Sequence, residues 1–227
     1  MKLNSVLVFI LLLFLQNVHG QNTRFETGID CGPGITALWG NDIIRQYHDP
    51  SIGISGGIFF QDNFHKTLSF RTNLAFERKG SVTDAILTDL EGNRLGNVRV
   101  HSNFDYLTIP FLLKAGTGSK LHLYAQAGPF IGFLLQANSV SKGEEFETHT
   151  SNQTSIYKRF DFGFTIGLGL TVPVKKKLNL SFEVNNNLGL YNIGATKIIN
   201  NGSIKTNSCY LHIGISYCFD TIKQMKK

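Results

Sequence analysis

The stretch 160–174, FDFGFTIGLGLTVPV, constrains this chain more than any other. Phe160, Phe162, Phe164, Ile166, Leu168, Leu170, Val172 and Val174 are all apolar, and Asp161, Gly163, Thr165, Gly167, Gly169, Thr171 and Pro173 between them include no large apolar side chain. Successive side chains of a strand point to opposite faces, so this alternation predicts a strand with one greasy face and one small or polar face. A tilted strand crosses the bilayer core in about 9–11 residues, and this run is longer.

The same pattern recurs along the chain. Strands are predicted at 25–38, 51–61, 67–79, 100–114, 121–137, 160–174, 178–191 and 208–219, with Pro33 expected to bulge or kink the first. On the fifth, His122, Tyr124, Gln126, Gly128, Gly132 and Gln136 share the polar face. The connections alternate long (39–50, 80–98, 138–155, 192–207) with short (62–66, 115–120, 175–177). An even number of strands with loops sorted by length is the pattern of an outer-membrane barrel, whose turns face the periplasm and whose loops face outward. Phe25, Trp39, Phe60, Phe160, Tyr191 and Phe219 fall near strand ends, as interface girdles do. The predicted fold is therefore all-β, an eight-stranded antiparallel up-and-down transmembrane β-barrel in contact with outer-membrane lipid. A soluble lipocalin-like barrel would reverse the faces. The polar face here, rich in Gly and Asn with a few charges of both signs, suits a narrow lumen better than a water-facing wall.

Lys2, the apolar block 6–15 and the exit Val18-His19-Gly20 read as a signal peptide over 1–20, since the block is too short for the roughly 20 apolar residues of a spanning helix. The barrel domain is placed at 21–219 and a basic tail at 220–227. The net charge of +6 collects in Lys175-Lys176-Lys177 and in the tail, without the interleaved aromatics that stack on bases, so no nucleic-acid partner is expected. Three cysteines, Cys31, Cys209 and Cys218, cannot all pair with one another, and their spacing offers no metal site. Cys31 and Cys209 share the apolar face of the terminal strands, so a bridge between them requires matching height and orientation.

Several segments resemble the PorT-like outer-membrane β-barrel family of Bacteroidetes: Phe76-Glu77-Arg78-Lys79-Gly80, Tyr106-Leu107-Thr108-Ile109-Pro110-Phe111-Leu112-Leu113-Lys114, Ala127-Gly128-Pro129-Phe130-Ile131-Gly132, and Asn187-Leu188-Gly189-Leu190-Tyr191-Asn192-Ile193. The resemblance spans nearly the whole mature chain. It implies a porin-family barrel and, from the family's namesake, a role assisting protein secretion across the outer membrane. Such barrels commonly end on the aromatic of the last strand, whereas Phe219 is followed here by the basic tail.

Chemistry is sparse. Gly53-Ile54-Ser55-Gly56-Gly57 fits a hydrolase elbow and Gly32-Pro33-Gly34-Ile35-Thr36-Ala37 fits a loose dinucleotide pattern, but neither sits in a strand–turn–helix context. His48 and Asp49 with Ser51, His101 and Ser102 with Asp105, and His149 are the residues on which an acyltransferase, deacylase or protease reading rests; no motif joins them. No cofactor is expected. Apolar groups in the second and fourth loops (Ile86, Leu87, Leu90, Leu95, Ile198, Ile199) suit contact with envelope or secretion proteins, or a rim cap. Eight strands enclose space that side chains can fill. Counting from the strand ends puts Asp30, Arg71, Glu183 and His212 at one height, with Tyr124 and Gln126 as neighbours, and Glu77, Arg159 and Asp161 in a higher layer. Buried charges must be paired, so Arg71 is predicted to bridge to Glu183 or Asp30 and to block the lumen, against a small-porin alternative.

Overall fold

The computed structural model describes residues 24–117, 121–143, 147–195 and 202–220. The leader assigned to 1–20, the tail after residue 220, and Ile198 and Ile199 lie outside the described residues. Eight long strands form the wall: β1 (Arg24–Trp39), β2 (Asp49–Asn63), β3 (Leu68–Thr88), β4 (Arg94–Thr117), β5 (His122–Gly143), β7 (Phe160–Lys175), β8 (Leu178–Gly189) and β9 (Lys205–Asp220). A four-residue strand, β6 (His149–Asn152), pairs with the outer end of β5, and a short helix, α1 (Asp42–Tyr47), sits between β1 and β2. Each wall strand pairs antiparallel with its neighbour, and β1 pairs with β9 from Arg24↔Asp220 to Trp39↔Lys205, which closes the barrel. Closure leaves no sheet edge within the wall.

The outward face carries an exposed apolar residue on every wall strand: Ile29, Ile58, Leu74, Leu113, Ile131, Leu168, Val184 and Ile213. The ladder places them side by side, as in Ile29↔Ile58, Ile58↔Leu74 and Leu168↔Val184. A continuous apolar belt of this extent has no stable place in water. The buried charged residues point the other way, so the faces are those of a membrane barrel and the lipocalin arrangement is excluded. Inward glycines make room for the rings that fill the tube. A Cβ built on Gly169 would stand 2.5 Å from the Tyr124 ring, and one on Gly163 would meet Phe130 at 2.5 Å.

Several expectations are corrected. Pro33 does not bulge its strand: it stays in register opposite Ile54, and β1 keeps one register with β9 on both sides of it. The real irregularities lie elsewhere, and one changes a face. Asp105 faces Gln136 while Tyr106 faces Leu134, so Leu135 is an extra residue. This bulge turns Gln136 outward, away from the lumen face on which plain alternation puts it, and buries Ala137 in its place, while Leu134 ahead of the bulge keeps its lumen parity. Much of the expected loop 80–98 is strand: β3 and β4 pair from Val82↔His101 out to Thr88↔Arg94 as a projecting hairpin. Each face mixes polar with apolar residues (Val82, Asp84, Ile86 and Thr88 on one, Thr83, Ala85 and Leu87 on the other), which conceals it, because a strand with no buried face has no period-2 signal. Cys31 lies opposite Ile213, whereas Cys209 lies opposite Ile35, four residues further on, so the two thiols are at different heights and unbridged.

Candidate functional site

The inward side chains form three layers along the tube. In the middle one, the Arg71 guanidinium is fully buried and uses all three nitrogens: NH2 meets Asp30 Oδ2 at 2.5 Å, NH1 meets Glu183 Oε1 at 2.5 Å, and Nε donates to Asn73 Oδ1 at 3.1 Å. Its planar face lies 3.8 Å from the centroid of Phe59. Asn73 in turn donates to Asp30, and Gln126 and Asn185 donate to the second oxygen of Glu183, each at 3.1 Å. His212 meets Asn185 through Nδ1 at 3.2 Å and stacks on Tyr210. Alternation supplies this convergence: Asp30, Arg71 and Glu183 sit on lumen parity of three strands, and the closed register brings them to one height. The space left among Asp30, Arg71, Gln126, Glu183 and His212 is about 20 Å³, room for about one water molecule.

The layer nearer the long connections is built on Lys79, also fully buried. Its Nζ lies 3.3 Å from Asp161 Oδ2 and 3.5 Å from Glu77 Oε2, and rests over the rings of Phe130 (4.6 Å) and Tyr106 (5.2 Å). Thr206 donates to Asp161 at 2.7 Å and Asn187 to Glu77 at 2.7 Å. Arg159, expected here, is absent from the layer. It precedes the first residue of β7, and it donates to the carbonyls of Leu134 and Leu135 at the bulge. Lys79 replaces it; continuing the alternation of Arg71 and Glu77 along β3 would have found it.

The layer nearer the short turns joins Glu26, Gln61 and Lys114. Glu26 accepts from Gln61 and Asn179 at 3.1 Å each and from Ser216, and Lys114 donates to Gln61 Oε1 at 3.1 Å. Tyr124 belongs with this group, since the centroid of its ring lies 3.5 Å from Lys114 Nζ.

Above the charged layers, Leu38, Ile44, Phe104, Tyr106, Leu134, Ala137 and Ile193 form a buried apolar plug, with Tyr157 and Ile204 packed on it. Helix α1 contributes Ile44 because Asn41 caps it, its Oδ1 accepting from Ile44 N at 2.7 Å. This plug is the rim cap; Ile86, Leu87 and Leu90 of the projecting hairpin stay exposed. At the same mouth, His48 Nδ1 lies 2.9 Å from Ser81 Oγ and 3.1 Å from Thr83 Oγ1, and burial holds its pKa below the ordinary 6.5. Ser81 is itself buried, so the contact braces the rim rather than exposing a nucleophile. The hydrolase-like and dinucleotide-like patterns lie within β2 and β1.

A closed eight-stranded barrel with an apolar belt outside and paired charges inside defines a transmembrane barrel with a filled lumen. The sequence matches the outer membrane protein beta-barrel domain over residues 16–194, and the chain belongs to that family, which places it in the outer membrane. No curated protein sequence matches it. Among solved structures, it is similar to a major outer membrane protein of Thermus thermophilus, with 12% identity, a TM-score of 0.48, and 88% of this chain and 100% of that one covered. It is also similar to Neisserial surface protein A, with 12% identity, a TM-score of 0.46, and coverages of 86% and 97%. The attachment invasion locus protein of Yersinia pestis gives 11%, 0.40, 86% and 98%.

Proposed function

We propose that this protein is a non-conducting, non-enzymatic barrel that presents its long connections outside the cell as an attachment surface for an envelope or secretion protein. The observation that carries the reading is the filled tube: two buried ion-pair layers and an apolar plug occupy the aqueous path. What a filled tube still offers is its rim, where the β3–β4 hairpin holds Ile86, Leu87 and Leu90 exposed to solvent. The resemblance of the strands to the PorT-like family supports a partner in protein secretion.

Two measurements test this. Purified protein in planar bilayers should show no steady single-channel conductance; a large, stable step overturns the filled-lumen reading and favours a small porin. Affinity capture from native envelopes should enrich one partner with the wild-type chain and lose it with Ile86→Ser/Leu90→Ser. Equal capture by the two overturns the hairpin as the attachment surface.

A further inference from the structure

The mouth at the short turns differs from the other: it opens into a vestibule of about 720 Å³, within the size range of small-ligand sites. Lys114 reaches the vestibule from β4, with His65, Lys66 and Lys176 on the turns around it and His122 at the start of β5. Among the described residues, Glu26 is the one carboxylate in the lining, and three donors, from Gln61, Asn179 and Ser216, already hold it. Of the cations buried in the tube among the described residues, Arg71 and Lys79 each touch two carboxylates, whereas Lys114 has none within ion-pair reach. Its ammonium gives one hydrogen bond to Gln61 Oε1 and rests on the Tyr124 ring, which leaves donor capacity unused. A charge withdrawn from water needs a counter-charge, and the hydrogen-bonded link from Lys114 to the carboxylate of Glu26 runs through Gln61.

We propose that the short-turn vestibule binds a soluble oxyanion, a carboxylate or a phosphate, whose charge is met by Lys114. The lysines on the turns draw the anion to the mouth, and Lys114 with the Tyr124 ring beneath it defines the inner end of the site. The ligand does not pass further, because Glu183 and Asp30 stand behind that point and repel it. The site thus serves binding from the turn side and is independent of transport.

The test uses the full mature chain, ¹⁵N-labelled, folded in maltoside micelles that carry no phosphate. Inorganic phosphate and, separately, acetate are titrated at ionic strength held constant with chloride. Amide shifts at Ser69, Gly116 and Thr171 should saturate while Ile193 in the opposite plug stays fixed. Lys114→Gln should weaken phosphate binding about ten-fold or more, and Lys114→Arg should retain it. Shifts that rise linearly without saturation, or the same curve in Lys114→Gln, overturn the proposal. If Lys114→Gln does not fold, as judged by heat-modifiable gel migration, Lys66→Gln/Lys176→Gln takes its place: about three-fold weaker binding supports the proposal and unchanged binding overturns it. A parallel sample in nanodiscs containing phosphatidylglycerol, with no added anion, separates the sources. Unshifted vestibule amides there support a soluble ligand; shifted ones mean that a lipid headgroup fills the site and overturn it.

Discussion

Arg71 in the lumen and Arg99 on the projecting hairpin make the same chemical contact in opposite surroundings. Arg71 holds Asp30 and Glu183 with 2% or less of each side chain exposed, whereas Arg99 holds Asp84 through Nε at 2.7 Å and NH2 at 3.1 Å with 61% and 59% exposed. The forks are alike and the consequences are not. Solvent and salt stand in for either partner on the hairpin, so that pair fixes little. In the tube no solvent replaces a lost partner, so the guanidinium is a condition of closing the barrel around two carboxylates. The Arg78–Asp105 pair lies between these extremes, with 44% and 14% exposed. One contact type thus grades from structural necessity to a dispensable surface pair along the barrel axis.

Four outcomes sharpen or break that gradient. Arg71→Met should cost the most, about 3–5 kcal/mol, because it strands Asp30 and Glu183 without a counter-charge. Urea unfolding in lipid vesicles reads this directly, and a loss below that of the rim pair would break the comparison. Leu168→Arg places the same cation on the other side of the wall, where only lipid faces it, and should cost about 2–4 kcal/mol in the same assay. Arg78→Met, at the half-exposed rim, should cost no more than about 1 kcal/mol after solvent screening, and less in high salt. Asp84→Asn should leave the unfolding midpoint unmoved.

The hairpin pair should be visible only locally. The hydrogen bonds from Arg99 hold the Asp84 carboxylate below its ordinary value of 3.8. A depressed carboxylate keeps its partner above that ordinary value and loses it as the pH falls through the lowered one. NMR titration should therefore find Asp84 ionised below pH 3.8 in the wild type and shifted upward in Arg99→Gln. An unchanged titration in that variant would mean that the contact is not formed in solution.

Much of the wall is legible because lipid enforces strict alternation. The run from Phe160 to Val174 states its outward face at every second residue, and β7 is found at Phe160–Lys175. Where lipid no longer enforces it, legibility ends. The outer end of β3 and the first residues of β4 read as loop, since Thr83 to Thr88 have no single face to hide. Alternation alone assigns Gln136 to the lumen, because one extra residue at a bulge leaves no mark in a single sequence. It also assigns Arg159 to the second layer although the backbone there lies outside β7, while Lys79, on true lumen parity, reads as the end of a strand.

The sequence by itself determined the class: alternating apolar residues of spanning length, an even strand number and sorted connections admit a membrane barrel and little else. It also determined which charges in the regular strands face inward, because parity is a local property of a strand. Only the tertiary structure decided their heights, since these depend on the registers of all eight wall strands around a closed ring. That is why Arg71 spans both carboxylates, why Lys79 rather than Arg159 completes the second layer, and why Lys114 ends in an open vestibule with no carboxylate in ion-pair reach among the described residues. The plug is likewise a tertiary product, assembled from α1, strand ends and Ile193, none of which carries an apolar signal strong enough to announce it.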